Sequence, residues 1–437
     1  MVGGLLVDCR SMDRARSSIS PGSVASSFSS SASARDSNFS AAASFSASSA
    51  RARLESVDLL RGIVMILMAL DHVRDYLGAP GISPTNLAQT TVGLFMTRWV
   101  THLCAPVFFL LTGTGAYLAL GRRTKSELSR FLWTRGLWLI FLEIVVLRCF
   151  AMQFNFDFRL TMLVVIWALG WAMIVLAGLV YLPNAVVIGF GVVLIALHNL
   201  LDPVQAASLG AFAPLWNILH APGFVVTNPR FVVFVAYPLI PWVGVTAIGY
   251  GLGAVYGCEP ERRRKFLLRR GLGLIAAFVV LRALNVYGDP VLWSHQKLAV
   301  FTVLSFVNTT KYPPSLLFLL MTLGPAMLLL CAFDAGTPKW MRPVVVYGRV
   351  PLLYYFLHFV LVHVVAIALC YARYGQVHWM FESPGLGQYP VTPPPGWGHG
   401  LGVTYAVWVF VVVALYPVCR WFAEVKRRRS DAWLSYL

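Results

Sequence analysis

Residues 57–78 read VDLLRGIVMILMALDHVRDYLG, an apolar run with a guanidinium near one end and a dense Asp-His-Arg-Asp cluster near the other. A helix of that length crosses a hydrocarbon core of about 30 Å at about 1.5 Å per residue. Comparable runs recur at 99–120, 136–153, 161–182, 184–201, 231–254, 268–286, 314–333, 350–371 and 402–421. Together they predict an all-α, polytopic transmembrane helical bundle of about ten spans.

Composition leads to the same place. Hydrophobic residues make up 58% of the chain and charged residues only 12%, with a mean hydropathy of +0.70. Soluble domains run about 45–50% apolar and about 25% charged, so this chain cannot cover a water-exposed surface and its main partner is the lipid bilayer. The net charge of +17 comes from short basic clusters between the apolar runs. Those at 122–135, 262–270, 339–349 and 426–429 fall on one side of an even number of spans, which predicts N-in, C-in topology. Topology thus accounts for the charge, and nucleic acid is not an expected partner. The seven cysteines are scattered without a C-x-x-C pair and read as small packing residues.

Residues 1–50 stand apart. Ser and Ala dominate from Ser17 to Ala50, predicting a disordered segment ahead of one membrane domain at 51–437. The segment lacks the continuous apolar core of a secretory signal. Three longer connections on the outer side, 202–230, 287–313 and 373–400, are expected to fold over that face as a lid or acceptor-binding surface. No internal repeat of the kind that builds many transporters is visible.

Ionisable groups within lipid are costly and mark function. Arg61 lies within an apolar run near the inner surface, and His72 follows about 16 Å deeper at helical rise. His72 and Asp75, three apart, share a helix face, so the carboxylate is expected to hold one ring nitrogen and raise the basicity of the other. That is a general-base arrangement. Asp71 and Asp75 flank the same face, with Arg74 placed to neutralise them; a purely structural polar cluster is the alternative. Asp and His are also metal ligands, but Arg74 adds positive charge and no close His pair is present, so no metal is expected. His102, Arg159, His198-Asn199, Lys311 and, further out, His358 and His363 are polar residues able to converge on this cluster. Arg122, Arg123 and the 262–265 cluster fit either topology or a polyanionic ligand such as coenzyme A.

These residues carry a family resemblance. The stretches V57-D-L-L-R61-G to L70-D-H72-V-R-D75, A105-P-V-F-F-L-L-T-G113, N155-F-D-F-R159, Y237-P-L-I-P-W242, K311-Y-P-P-S and G348-R-V-P-L-L-Y-Y-F-L-H358 resemble bacterial membrane proteins related to the catalytic domain of heparan-alpha-glucosaminide N-acetyltransferase. The Arg61-x10-His72 spacing is also similar to the first-helix pattern of the wider membrane-bound acyltransferase group, where the arginine is associated with acyl-coenzyme A and the histidine with catalysis.

The resemblance implies an enzyme of the bacterial cytoplasmic membrane. It would move an acetyl or other acyl group from cytosolic acyl-coenzyme A to an outer-face acceptor, a glycan hydroxyl or amine. Arg61, Arg122 and Arg123 would then hold the donor, while His72, Asp75, Asp71 and His102 form the catalytic set. Arg74, Arg159, Lys311 and His358 would contact substrate. Lysosomal relatives are described as using a luminal histidine between their first two spans, which leaves His72 and His102 as alternatives. The competing class is a proton-coupled transporter that uses the same intramembrane Asp, His and Arg as a relay.

Overall fold

The computed structural model describes residues 32–429 and 431–436. Residues 1–31 of the expected disordered segment lie outside the described residues, and from Ala32 the backbone is helical, in keeping with the high helix propensity of Ala. The first helix, α1, spans Ala32–Leu77. Then come α2 (Val92–Thr101), α3 (Cys104–Ala119) and α4 (Lys125–Phe141), which continues as a π-helix over Leu142–Met152. Next are α5 (Val165–Leu179), α6 (Asn184–Leu197), α7 (Ala213–Leu219) and α8 (Leu239–Gly253). The chain closes with α9 (Pro260–Leu284), α10 (Ala299–Val307), α11 (Leu316–Phe333), α12 (Arg342–Arg349), α13 (Pro351–Tyr374) and α14 (Leu401–Arg428).

This is an all-α integral membrane protein. Among the described residues, six helices are long and apolar enough to cross a membrane, including the α2–α3 pair (Val92–Ala119), α11, α13 and α14. The remaining expected spans fall on α1, α4 with its π-helical continuation, α5 and α9. Three of them carry charge inside the apolar run, such as Asp71 and Arg74 in α1, Glu143 and Arg148 beyond α4, and Arg282 in α9. The fourth, α5, has only 15 residues.

Two expected spans begin differently. The first residues of 161–182 and 231–254 are strands, β1 (Leu160–Leu163) and β3 (Val232–Val235), and β2 (Gly223–Thr227) completes a three-stranded sheet in the order β1-β3-β2. Thr161, Val232, Val233 and Val235 are β-branched and favour the pleated surface. Pro238 then sits at the N-cap of α8, where its fixed φ and missing N–H suit a helix entrance.

Helix ends carry recognisable stops. Thr124 and Glu127 form a capping box at the start of α4. The side chain of Glu143 accepts the Val164 amide at 2.8 Å and the Trp167 amide, so a neighbouring helix supplies acceptors to the open N–H groups at the N-terminus of α5. Asn285 ends α9 and Gly375 ends α13, both in the left-handed conformation.

Helix packing relies on backbone contact, the usual device where lipid offers no hydrophobic drive. A Cβ on Gly348 would lie 1.8 Å from the Asp58 carbonyl, and one on Gly62 2.0 Å from that of Val344. Only glycine therefore lets α1 meet α12, and this contact sets the position of Arg61. Of the three longer connections, 202–230 contains α7 and β2, 287–313 contains α10, and 373–400 contains two short 3-10 helices, His378–Phe381 and Leu386–Gln388.

Candidate functional site

At the start of the apolar run of α1, Arg61 Nη1 donates to Asp58 Oδ1 at 3.1 Å and to the Gly348 carbonyl at 3.0 Å. Arg349 Nε lies 3.7 Å from the other oxygen of Asp58. Arg61, Arg135, Arg349 and Lys426 all line one cavity of about 290 Å³. Its deeper wall is apolar, with Met68, Phe108, Leu139, Met173 and, at the far end, Tyr355.

His72 lies one turn beyond Met68. Its Nδ1 is 2.6 Å from His358 Nε2, and its ring stacks on Phe359 at 4.1 Å between centroids. The hydrogen-bond chain fixes tautomers for two neutral imidazoles. His358 Nδ1 is 2.9 Å from the Tyr354 carbonyl, which can only accept, so this nitrogen carries the proton. His358 Nε2 is then the acceptor and His72 Nδ1 the donor. His72 Nε2 is left with a bare lone pair on a ring that is only partly buried. Tyr355, whose ring stands 6.1 Å from that of His72, separates it from the inner cavity.

The expected His72–Asp75 bond is not made. Asp75 instead accepts from Arg74 at 2.6 Å, with its side chain 38% exposed. Spacing of three residues puts two side chains on one face, but Arg74 offers Asp75 a charged donor and α13 offers His72 a ring partner.

Asp71 is the hub of the outer half. It accepts from Arg74 at 2.8 Å, from Thr101 at 3.0 Å and from Arg98. Arg98 also reaches the Tyr312 hydroxyl at 3.3 Å. Lys311, next in the chain, is buried with its ammonium 5.3 Å from the Tyr312 ring centroid, and its charge acts on both Asp71 and His72. The 310–315 turn is pinned by buried Asp289, which accepts from the Thr310 amide and hydroxyl at 2.8 and 2.9 Å and from Ser315 at 2.6 Å.

A second cavity, of about 350 Å³, is lined by Arg74, Asp75, Tyr76, Tyr389, Trp397 and His399 among others. Much of its wall comes from 373–400, and Trp397 is held by its indole N–H on the Tyr76 carbonyl at 2.9 Å. Along α1, His72 thus falls between Arg61 and Met68, which line the first cavity, and Arg74, Asp75 and Tyr76, which line the second.

Other expected residues lie elsewhere. His102 is 2% exposed, packs edge-on against Phe318 and has an enclosed Nδ1 without a hydrogen-bond partner. Arg159 is 77% exposed and 3.7 Å from Asp157. Buried Arg148, on the π-helix, takes the enclosed position beside that carboxylate. Burial opposes ionisation of Asp157, but hydrogen bonds from Ser383 and the Arg159 amide, with Arg148 nearby, hold its carboxyl below the usual range. Arg122 is exposed, and Arg123 stacks at 4.0 Å on Phe131, a cavity wall residue. Arg263 is consumed by a two-pronged pair with Asp334 at 2.8 and 2.9 Å. His363 Nε2 donates to the Met380 carbonyl at 2.7 Å and its ring stacks on Phe154, a structural position.

The catalytic-domain family of heparan-alpha-glucosaminide N-acetyltransferase matches residues 53–288, more than half of the chain. The chain belongs to this family. No curated protein matches it. Membership makes it an acetyltransferase-type membrane enzyme, and acetyl-coenzyme A is the donor that the family uses. The matched stretch includes Arg61, Asp71, His72, Arg74, Arg98 and Arg135, while Lys311, Arg349, Tyr355, His358 and Lys426 lie beyond it.

Sequence reasoning missed Arg98, Tyr355 and Asp289, and gave Arg135, Arg349 and Lys426 only a topological role. Arg98 was detectable as a cation inside the run FMTRWV at 95–100. Tyr355 and Asp289 carry no such signal. Replacing His358 with Phe keeps a ring against His72 but removes the acceptor that fixes its tautomer. We expect kcat to fall about 10–100-fold, the usual cost of losing an orienting partner, with KM for the donor little changed. An unaltered kcat would show that His358 does not orient His72.

Proposed function

We propose that this chain transfers an acyl group, acetyl in the first instance, from acyl-coenzyme A on the cytosolic side to a glycan hydroxyl or amine presented at the outer face. The observation that carries this reading is a histidine with a bare ring nitrogen on the stretch of α1 between the residues that line two cavities, the first of which is lined by four cations. Arg61, Arg135, Arg349 and Lys426 suit the phosphates of coenzyme A, and the apolar wall toward Tyr355 suits its acyl-bearing arm. These four side chains come from α1, the second half of α4, the end of α12 and the last turns of α14. That grouping supports N-in, C-in topology, because it gathers the basic ends at one surface. About ten spans remain our reading, with α1, α4 and its continuation, α5 and α9 completing the six.

In the proposed reaction the acceptor attacks the thioester carbonyl while His72 Nε2 takes its proton. The carbon–sulfur bond then breaks, and the imidazolium returns that proton to the departing thiolate. The lone pair is equally equipped to attack the thioester first, breaking the carbon–sulfur bond to release the thiolate and leave an acyl-imidazolium. The acceptor then takes the acyl group, frees the imidazole and gives up its proton, which neutralises the thiolate. Two separate cavities favour this relay, since the two reactants then need not meet. Arg74 and Lys311 face the outer half and are the proposed contacts for acceptor and developing negative charge.

Purified protein incubated with acetyl-labelled coenzyme A should release coenzyme A, by transfer to an added amino sugar or by slow hydrolysis. Arg349→Ala with Lys426→Ala should raise KM for the donor roughly tenfold or more, each lost charged contact being worth about 1.5–3 kcal/mol. Proton-coupled uptake without thioester turnover would replace the enzyme by a transporter.

A further inference from the structure

We infer that His198, Asp202 and His220 form a binding site for a divalent transition-metal ion, best matched by zinc, which fastens the 202–230 connection to the end of α6. This inference does not depend on the acyl-transfer reading. Each of the three residues offers one ligand atom, and these atoms lie within 4.8 Å of one another. His220 Nε2 and Asp202 Oδ1 are 3.1 Å apart, close to the roughly 3.3 Å edge of a tetrahedron with zinc bond lengths.

Burial is the second observation. His198 and His220 are each 2% exposed. The Pro314 carbonyl lies close enough to engage one ring nitrogen of His198, and the other has no hydrogen-bond partner; nor does Nδ1 of His220. Enclosed polar nitrogens of this kind call for an unseen partner, and a cation would take one lone pair from each ring. At His220 Nε2 the metal would displace the proton now shared with Asp202.

The surroundings fit such a role. His198 opens the 3-10 turn His198–Leu201 that follows α6, Asp202 caps that turn, and His220 follows directly after α7. Asn199 orients the carboxylate, donating from Nδ2 to Asp202 Oδ2 at 2.8 Å, while its Oδ1 accepts the Leu316 amide at 2.9 Å at the start of α11. Such outer partners are what holds metal ligands in place. Among the described residues Asp202 pairs with no Lys or Arg, unlike Asp71, whose oxygens are taken by guanidiniums.

The donor set selects the metal. Two imidazoles and one carboxylate suit zinc, with nickel and copper as competitors, whereas calcium takes six or more oxygens and magnesium prefers oxygen and water. Asp202, its side chain 21% exposed, gives an entry path and room for a water as fourth ligand.

Tag-free full-length protein in detergent, stripped with chelator and dialysed, should bind one zinc ion per chain saturably. Cobalt titrated in its place should give the visible absorption of a tetrahedral site. His198→Ala and His220→Ala should each weaken zinc binding at least about tenfold with unchanged elution on size exclusion. Absence of saturable zinc binding, or wild-type affinity in the double variant, overturns the site. Should the variants not fold, the cobalt spectrum of the wild-type protein decides, and an octahedral or featureless one overturns the assignment.

Discussion

His72→Ala is expected to lower acyl transfer about 10²–10⁴-fold, the range that a positioned general acid–base group contributes. The physical case rests on what the imidazole does and on what its loss leaves. Nδ1 is committed to His358, so Nε2 is the free base. Truncation leaves one acceptor, His358 Nε2, and one face of Phe359 uncovered. Neither defect threatens the bundle, because His72 is only partly buried. The protein should therefore elute normally, melt near the wild-type temperature and still bind donor. The comparison to make is thioester turnover against donor binding in the same preparation, with His102→Ala alongside. Full turnover in the His72 variant, or a larger loss in the His102 variant, would sink the assignment.

Asp71→Ala should be the most destabilising single change in the site. Asp71 joins Arg74 and Arg98 in a place where the carboxylate is 8% exposed, and Thr101 donates to it as well. Without it, Arg74 keeps half-exposed Asp75 and Arg98 keeps only the Tyr312 hydroxyl at 3.3 Å. Removing one member of a buried ion cluster costs about 3–5 kcal/mol, because the remaining charge is left uncompensated. A thermal or denaturant melt in detergent would measure it. Adding Arg98→Met should recover part of the loss, since the stranded cation is then gone. A change below about 1 kcal/mol, the scale of an exposed pair, would show that the cluster is solvated and that Asp71 is no hub.

The acyltransfer and transporter readings diverge at the inner cavity. A proton relay needs only titratable groups in series, whereas four cations around an apolar pocket serve a large polyanion. Arg61 fits both the sequence expectation and that cavity. Arg122 and Arg123 do not line it: Arg122 is exposed, Arg123 stacks on Phe131, and Arg135, about three turns further along, lines the cavity instead.

The chain's own pattern fixed the membrane body, because long apolar runs have no other stable environment and their lengths are read directly from the residues. It also fixed which charges are expensive, since Asp71, His72 and Arg74 interrupt such a run whatever surrounds them. What holds each of them was decided only in three dimensions. His358 lies 286 residues from His72, and the His198 cluster draws on a residue 18 positions away from its acid. Spacing along one helix reports which side chains share a face. The partner that each one takes depends on the strongest donor or acceptor that another helix brings within reach, and that is a property of packing alone.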